Sequence, residues 1–185
     1  GIFLIMLLGA SSVHATTAGT LLQRKTFVTA EQAVSKGNLK LARQLKSTIQ
    51  DYPLYPYLEY KLLKKNLASE TNQAIQEFLD DYPDTPLAGY LRLRWLNQLA
   101  RKERWQDYVD FYQPQKDIER QCHYLNALIR TGRKSEAFEL VEPLWLYGKS
   151  RPQACDPVFA SWKKSPYFSA DLVWQRIELS IDKGQ

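Results

Sequence analysis

The chain is poor in the residues on which most enzyme chemistry depends. Its 185 residues include 2 cysteines, 2 histidines and 1 methionine. A tetrahedral zinc site needs four ligands, and neither Cys122 nor Cys155 has a second Cys or His at ligand spacing; His123 merely adjoins Cys122. There is no glycine-rich phosphate loop, no His-Glu-x-x-His and no Gly-x-Ser-x-Gly, so nucleotide, dinucleotide, zinc-protease and α/β-hydrolase chemistries lack their minimum residues. The sequence thus offers no cofactor, no metal set and no catalytic constellation. Only 8 Gly and 9 Pro accompany 44% hydrophobic and 24% charged residues, which excludes collagen-like, low-complexity and disordered chains. No apolar run approaches the ~20 residues needed to cross a bilayer. No alternating stretch is bounded by Asn-Gly or Asp-Gly turns, so strand content should be near zero.

What the chain does have is a mild basic bias, many aromatics and helical periodicity. With 25 Lys+Arg against 20 Asp+Glu the formal charge is +5, which suits phosphates, anionic lipids and acidic glycans equally and names no partner. The 7 Phe, 5 Trp and 11 Tyr are enough to fill several helix–helix interfaces. Basic clusters at Lys61, Lys64 and Lys65 and at Arg92, Arg94, Arg101, Lys102 and Arg104 could form an anion-facing stripe; solubilising charge is the simpler reading. The acidic runs Asp80, Asp81, Asp84 and Glu136, Glu139, Glu142 read as solvated faces or helix ends rather than as catalytic groups.

The N-terminus has the pattern of a secretion signal. An apolar run from Ile2 to Leu8 is followed by small residues, with Val13 and Ala15 at the −3 and −1 positions of a signal-peptidase site. This predicts cleavage between Ala15 and Thr16, with residues 1–15 as the signal. The chain opens with Gly1 and has no positive charge before Arg24, so the signal is read as truncated. A helix through this region is disfavoured because the stretch from Ser11 to Thr20 is small and polar. Export changes the meaning of Cys122 and Cys155, because paired thiols outside the cytoplasm oxidise, and the two are predicted to form a disulfide. A Cys-His nucleophile pair at neighbouring positions would point about 100° apart on a helix.

Apolar residues recur at three- and four-residue spacing, in Leu87, Leu91, Trp95 and Leu99 and in Ala137, Leu140, Val141, Leu144 and Trp145. Breakers divide the chain at Gly37-Asn38, Asp51-Tyr52-Pro53, Asp81-Tyr82-Pro83, Pro114, Gly132, Gly148 with Pro152, Ser165-Pro166 and Gly184, predicting helices of about 10 to 18 residues between them. Two internal echoes stand out: Asp-Tyr-Pro at positions 51 and 81, and Gly37 with Ala42 matched by Gly132 with Ala137. Both suit tetratricopeptide-like helix–turn–helix units. The expected fold is all-α, a right-handed superhelix of antiparallel helix pairs forming an α-solenoid arm over residues 16–185. Leu172, Val173, Trp174, Ile177, Leu179 and Ile181 make the last segment apolar on more than one side, unlike a polar cap, so the helical region is expected to continue past Gln185.

Three segments resemble one family. Asp51-Tyr52-Pro53-Leu54-Tyr55-Pro56-Tyr57-Leu58-Glu59-Tyr60, the helix-turn segment from Asn97 to Trp105, and the stretch Leu144-Trp145-Leu146-Tyr147-Gly148-Lys149-Ser150-Arg151-Pro152-Gln153-Ala154-Cys155-Asp156 are similar to the α-superhelical region of soluble lytic murein transglycosylases. Cys122, after Gln121, falls at that family's other cysteine. The resemblance runs from about Ala30 to Gln185. It implies a periplasmic, monomeric protein of a Gram-negative bacterium that acts on peptidoglycan glycan strands, with no nucleic-acid partner and no stable membrane insertion. In such enzymes a glutamate in a C-terminal lysozyme-like domain cleaves between N-acetylmuramic acid and N-acetylglucosamine, leaving a 1,6-anhydro product. One carboxyl serves first as acid and then as base. The chain contains no Glu-Ser dipeptide and no segment resembling that domain, so no catalytic residue is assigned to it. It is read as the helical scaffold, inactive alone and docking on its own C-terminal domains. The alternatives are a stand-alone periplasmic helical-repeat module that binds a protein partner or peptidoglycan, and a basic nucleic-acid or membrane-surface binder with steep salt dependence.

Overall fold

The computed structural model describes residues 12–182, with side chains from residue 19 onward. It contains α1 (Ser12–Ser35), α2 (Leu39–Lys46), α3 (Tyr55–Lys65), α4 (Asn72–Asp81), α5 (Pro86–Arg101), α6 (Trp105–Phe111), α7 (Ile118–Arg130), α8 (Lys134–Glu139), α9 (Glu142–Trp145), α10 (Asp156–Trp162) and α11 (Ala170–Asp182), with 3₁₀ turns at Leu67–Ser69 and Gln153–Cys155. No strand occurs among the described residues. The protein is all-α, as the missing hairpin signals required. The chain divides into two compact units at Leu91 and Arg92, a point inside α5.

The first unit is built on α1, α2 and α3, which pack on one another. Phe27, Ala30, Ala33 and Val34 form the buried stripe of α1, meeting Ala42, Ile49, Leu58 and Leu62. The turn from α1 to α2 depends on Gly37, whose φ of +79° lies in the left-handed region. There the Gly37 N–H donates to the Val34 carbonyl and the Asn38 N–H to that of Ala33, satisfying two carbonyls that the helix end would orphan. Asn38 then opens α2 by accepting from the Leu41 N–H at 3.2 Å. Ala42 is fully buried, as its small size beside the turn predicts. Lys46, Glu59 and Tyr82 link three segments: Lys46 donates to Glu59 at 2.5 Å and the Tyr82 hydroxyl to the same carboxylate at 3.0 Å. Burial alone would lower the Lys46 pKa, but the hydrogen bond and charge of Glu59, with Tyr55, outweigh it and hold the ammonium above its usual value.

In the second unit α7 packs against α6, α8, α10 and the 3₁₀ turn at Gln153–Cys155. The same turn geometry occurs twice. Gly132 has a φ of +87°, with Gly132 N–H donating to Ile129 O and Arg133 N–H to Leu128 O. Glu103, with a φ of +51°, supports the matching pair from Glu103 N–H to Ala100 O and Arg104 N–H to Leu99 O. After each turn an arginine pairs with an acid in the next helix, Arg104 with Asp107 and Arg133 with Glu136. Leu87, Leu91, Trp95 and Leu99 are all buried along α5, as their spacing predicts.

Three expectations need correction. Helix lengths are more varied than 10 to 18 residues, from the 4 of α9 to the 24 of α1. The stripe from Ala137 to Trp145 belongs to two helices: the ring of Pro143 opposes the carbonyl four residues back, and α8 ends at that residue, Glu139. Leu140, in the break, is exposed while Val141, Leu144 and Trp145 stay buried. Finally, α1 runs through 12–20, the stretch read as a poor helix former. Once Phe27 to Val34 are packed, each upstream residue is added by propagation, which small polar residues oppose by only about 0.5 kcal/mol each and Gly19 by about 1 kcal/mol. The apolar run Ile2–Leu8 and Gly184 lie outside the described residues.

Candidate functional site

Helix α7 carries a group of polar and aromatic side chains in the second unit. It begins at Asp117, whose carboxylate accepts from the Arg120 N–H at 2.9 Å and pairs with the Arg120 guanidinium at 3.1 Å. The helical period then turns Cys122, Leu125 and Leu128 into the core, while Glu119, His123 and Asn126 face outward. His123 stacks on Trp105 with centroids 6.3 Å apart and lies 6.0 Å from the Tyr108 ring. Burial lowers its pKa; the Glu119 carboxylate, 3.9 Å away, opposes the shift and Arg120 adds to it. The Tyr108 hydroxyl donates to the Arg120 carbonyl at 3.1 Å, and burial raises that phenol far above its usual range. Tyr112 and Tyr124 stack at 4.0 Å, and burial, then Tyr124, raises the Tyr112 pKa.

Behind this face lies the disulfide. Cys122 of α7 and Cys155 of the 3₁₀ turn are bonded, with Cα atoms 4.8 Å apart and both residues fully buried. It ties α7 to the segment leading into α10, inside a core that includes Trp145, Phe159 and Trp162.

An open cleft of about 370 Å³ lies beside His123, lined by Asn97, Arg101, Asp117, Glu119 and Arg120. Its carboxylates do not suit acid–base work on a glycosidic bond. A glycosidase acid needs an apolar pocket that keeps it protonated, whereas Asp117 and Glu119 are both exposed and Asp117 is engaged as a helix cap. No cluster of three potential metal ligands occurs among the described residues. The arrangement, with the half-buried His123 ring beside the Arg101 and Arg120 guanidiniums, can pack and bind.

The basic clusters named from the sequence fall in different units, and within each unit several of their side chains are engaged locally. Lys61 pairs with Glu31, and Lys64 lies over the Tyr60 ring at 5.9 Å, both in the first unit. In the second unit Arg92 donates to the Phe111 carbonyl, Arg101 to Gln98, and Arg104 pairs with Asp107 while lying over Trp95. Of the acidic runs, Asp80 accepts from Gln76 and Glu136 pairs with Arg133, both on exposed faces. Ala15 and Thr16 fall within α1. Sequence reasoning did not single out Lys163, which follows the end of α10, or Arg176 of α11, which meet at Trp145 although 13 residues apart.

No family model matches the chain. It is 35% identical over 164 residues to the soluble lytic murein transglycosylase of Escherichia coli K12, covering 88% of this chain and 25% of that protein, and equally to the enzyme of Salmonella typhimurium. The chain is homologous to soluble lytic murein transglycosylases. The crystal structure of the 70 kDa soluble lytic transglycosylase from Escherichia coli matches with a TM-score of 0.75 at 34% identity, over 88% of this chain and 26% of that one. The complex of the 70 kDa enzyme with bulgecin A matches at 0.76, and an inactive mutant of lytic transglycosylase Slt from Pseudomonas aeruginosa at 0.71 with 36% identity, over 85% of this chain and 26% of that one. The chain therefore spans about a quarter of the length of the transglycosylases it matches. No helix among the described residues is long and apolar enough to cross a membrane.

Proposed function

We propose that this chain is the helical scaffold segment of a periplasmic lytic transglycosylase whose complete form cleaves the β-1,4 bond between N-acetylmuramic acid and N-acetylglucosamine in peptidoglycan. The observation that carries this reading is a 34–36% identical fit to solved lytic transglycosylases over at least 85% of the chain, confined to about a quarter of theirs. The acid that protonates the glycosidic oxygen, and then helps the muramoyl C6 hydroxyl close the 1,6-anhydro ring, would lie outside residues 1–185. The carboxylates beside His123 are exposed, which agrees with a supporting role. The solenoid form of the segment, export through a signal cleaved between Ala15 and Thr16, docking on the enzyme's remaining domains and a monomeric state belong to the same proposal.

The test is to read the coding sequence beyond the codon for Gln185 and to assay the whole gene product on purified murein. A downstream lysozyme-like domain with a Glu-Ser pair, and 1,6-anhydro products that disappear when that glutamate becomes glutamine, are the expected results. A stop codon at that point would overturn the catalytic reading and favour a free-standing helical module.

A further inference from the structure

Trp145 sits in the wall of a second cleft, of about 420 Å³, lined also by Arg151, Asp156, Phe159, Lys163 and Arg176. Cations crowd this cleft. The Arg176 guanidinium carbon lies 4.0 Å from the Trp145 ring and 5.8 Å from the Phe159 ring, and the Lys163 ammonium nitrogen 4.5 Å from Trp145. Arg151 is fixed from behind, donating Nε–H to the Leu144 carbonyl at 2.8 Å and covering the Tyr147 ring at 3.7 Å. Its two Nη groups are left over.

The three positive groups have little to balance them. Among the described residues none of them has a carboxylate within 4 Å, and Asp156 is the one acid in the lining. Arg176 Nη1 is shielded from solvent and has no hydrogen-bond acceptor. A buried guanidinium N–H without an acceptor is costly, and cation–π contacts supply no lone pair to satisfy it. The guanidiniums also repel each other: burial lowers the pKa of both, and Arg151 lowers that of Arg176 further. Elsewhere in the unit Arg104, Arg120 and Arg133 each pair with a carboxylate three residues away, and Arg130 pairs with Glu103. The Trp145 cleft departs from that habit.

We propose that this cleft is a binding site for a small oxyanion carrying two negative charges, held by the Arg151 and Arg176 guanidiniums and the Lys163 ammonium. Two planar donor forks and one point charge suit a phosphate group or a pair of carboxylates. The apolar walls supplied by Trp145 and Phe159 would exclude water from one side of the ligand and strengthen each contact.

The test is calorimetric titration of the full protein with inorganic phosphate and, separately, with glutarate, at constant ionic strength set by sodium chloride. One saturable site for at least one of the two is expected, weakened tenfold or more in Arg176→Gln and several-fold in Lys163→Gln, and unchanged in Arg133→Gln. Phosphate binding alone would point to a phosphate-bearing natural ligand, glutarate binding alone to a carboxylate-bearing one, and either supports the site. Lys163 is exposed, so its substitution reports on binding even if Arg176→Gln impairs folding. Failure of both anions to saturate below about 10 mM, or unchanged affinity in the folded Lys163→Gln and Arg176→Gln variants, would overturn the proposal.

Discussion

Replacing both Cys122 and Cys155 with alanine should lower the melting temperature by roughly 10 °C. The sequence separation of 33 residues sets the main contribution. In the chain-entropy model, closing a loop of that size stabilises the fold by about 3 to 4 kcal/mol, because the cross-link removes expanded conformations from the unfolded ensemble. Both sulfurs lie in fully buried residues between α7 and the turn before α10, so truncation also leaves a small void costing on the order of 1 kcal/mol. For a chain of this size each kcal/mol is worth about 2 to 4 °C. Differential scanning calorimetry of the double variant, and of the native protein with and without reductant, measures the effect. Intact mass under non-reducing conditions should show the native protein lighter by two hydrogen atoms than its reduced form. A fall of under about 2 °C in the double variant would refute the reasoning, since even a loop far shorter than this one should contribute more.

Other perturbations test other parts of the structure. Trp162→Ala, which removes a side chain packed at 5.2 Å on Phe168 and 6.0 Å from Trp145, should cost about 3 to 5 kcal/mol in urea unfolding. Glu103→Gly should stabilise by about 1 kcal/mol, because Glu103 holds the left-handed conformation that glycine supplies at the two matching turns, and its 3.9 Å pair with Arg130 is exposed; a loss of stability would contradict this. The His123 pKa is lowered in the folded state, so the unfolded chain binds the proton more readily and stability falls as pH drops below about 6.5, levelling off below the folded pKa. Denaturation midpoints compared at pH 7.5 and 5 should differ less in His123→Gln than in the native protein.

Much of the fold could be read from local pattern. The four-residue spacing of Leu87, Leu91, Trp95 and Leu99 states which face of α5 is buried, and Gly37 and Gly132 mark turns only because the backbone there needs positive φ. Glu103 makes the same turn with a residue that gives no such sign, because the flanking helices impose the conformation. The stripe from Ala137 to Trp145 hides the break inside it, which the clash of the Pro143 ring with the carbonyl of Glu139 decides. The helix through 12–20 arises from packing further along α1 and leaves no local trace. The cation cluster at Trp145 was invisible for a different reason. Arg151, Lys163 and Arg176 follow no spacing rule and come together only because α9, α10 and α11 surround one core.

The central claim is that these helices support a murein-cleaving site that lies outside them. Purified murein sacculi should be incubated with the whole gene product and, in parallel, with residues 16–185 alone, and the soluble products analysed by mass spectrometry for 1,6-anhydromuramoyl ends. The account predicts such products from the whole gene product and none from the segment. Anhydro products released by the segment alone, or none released by the active whole protein, would contradict it.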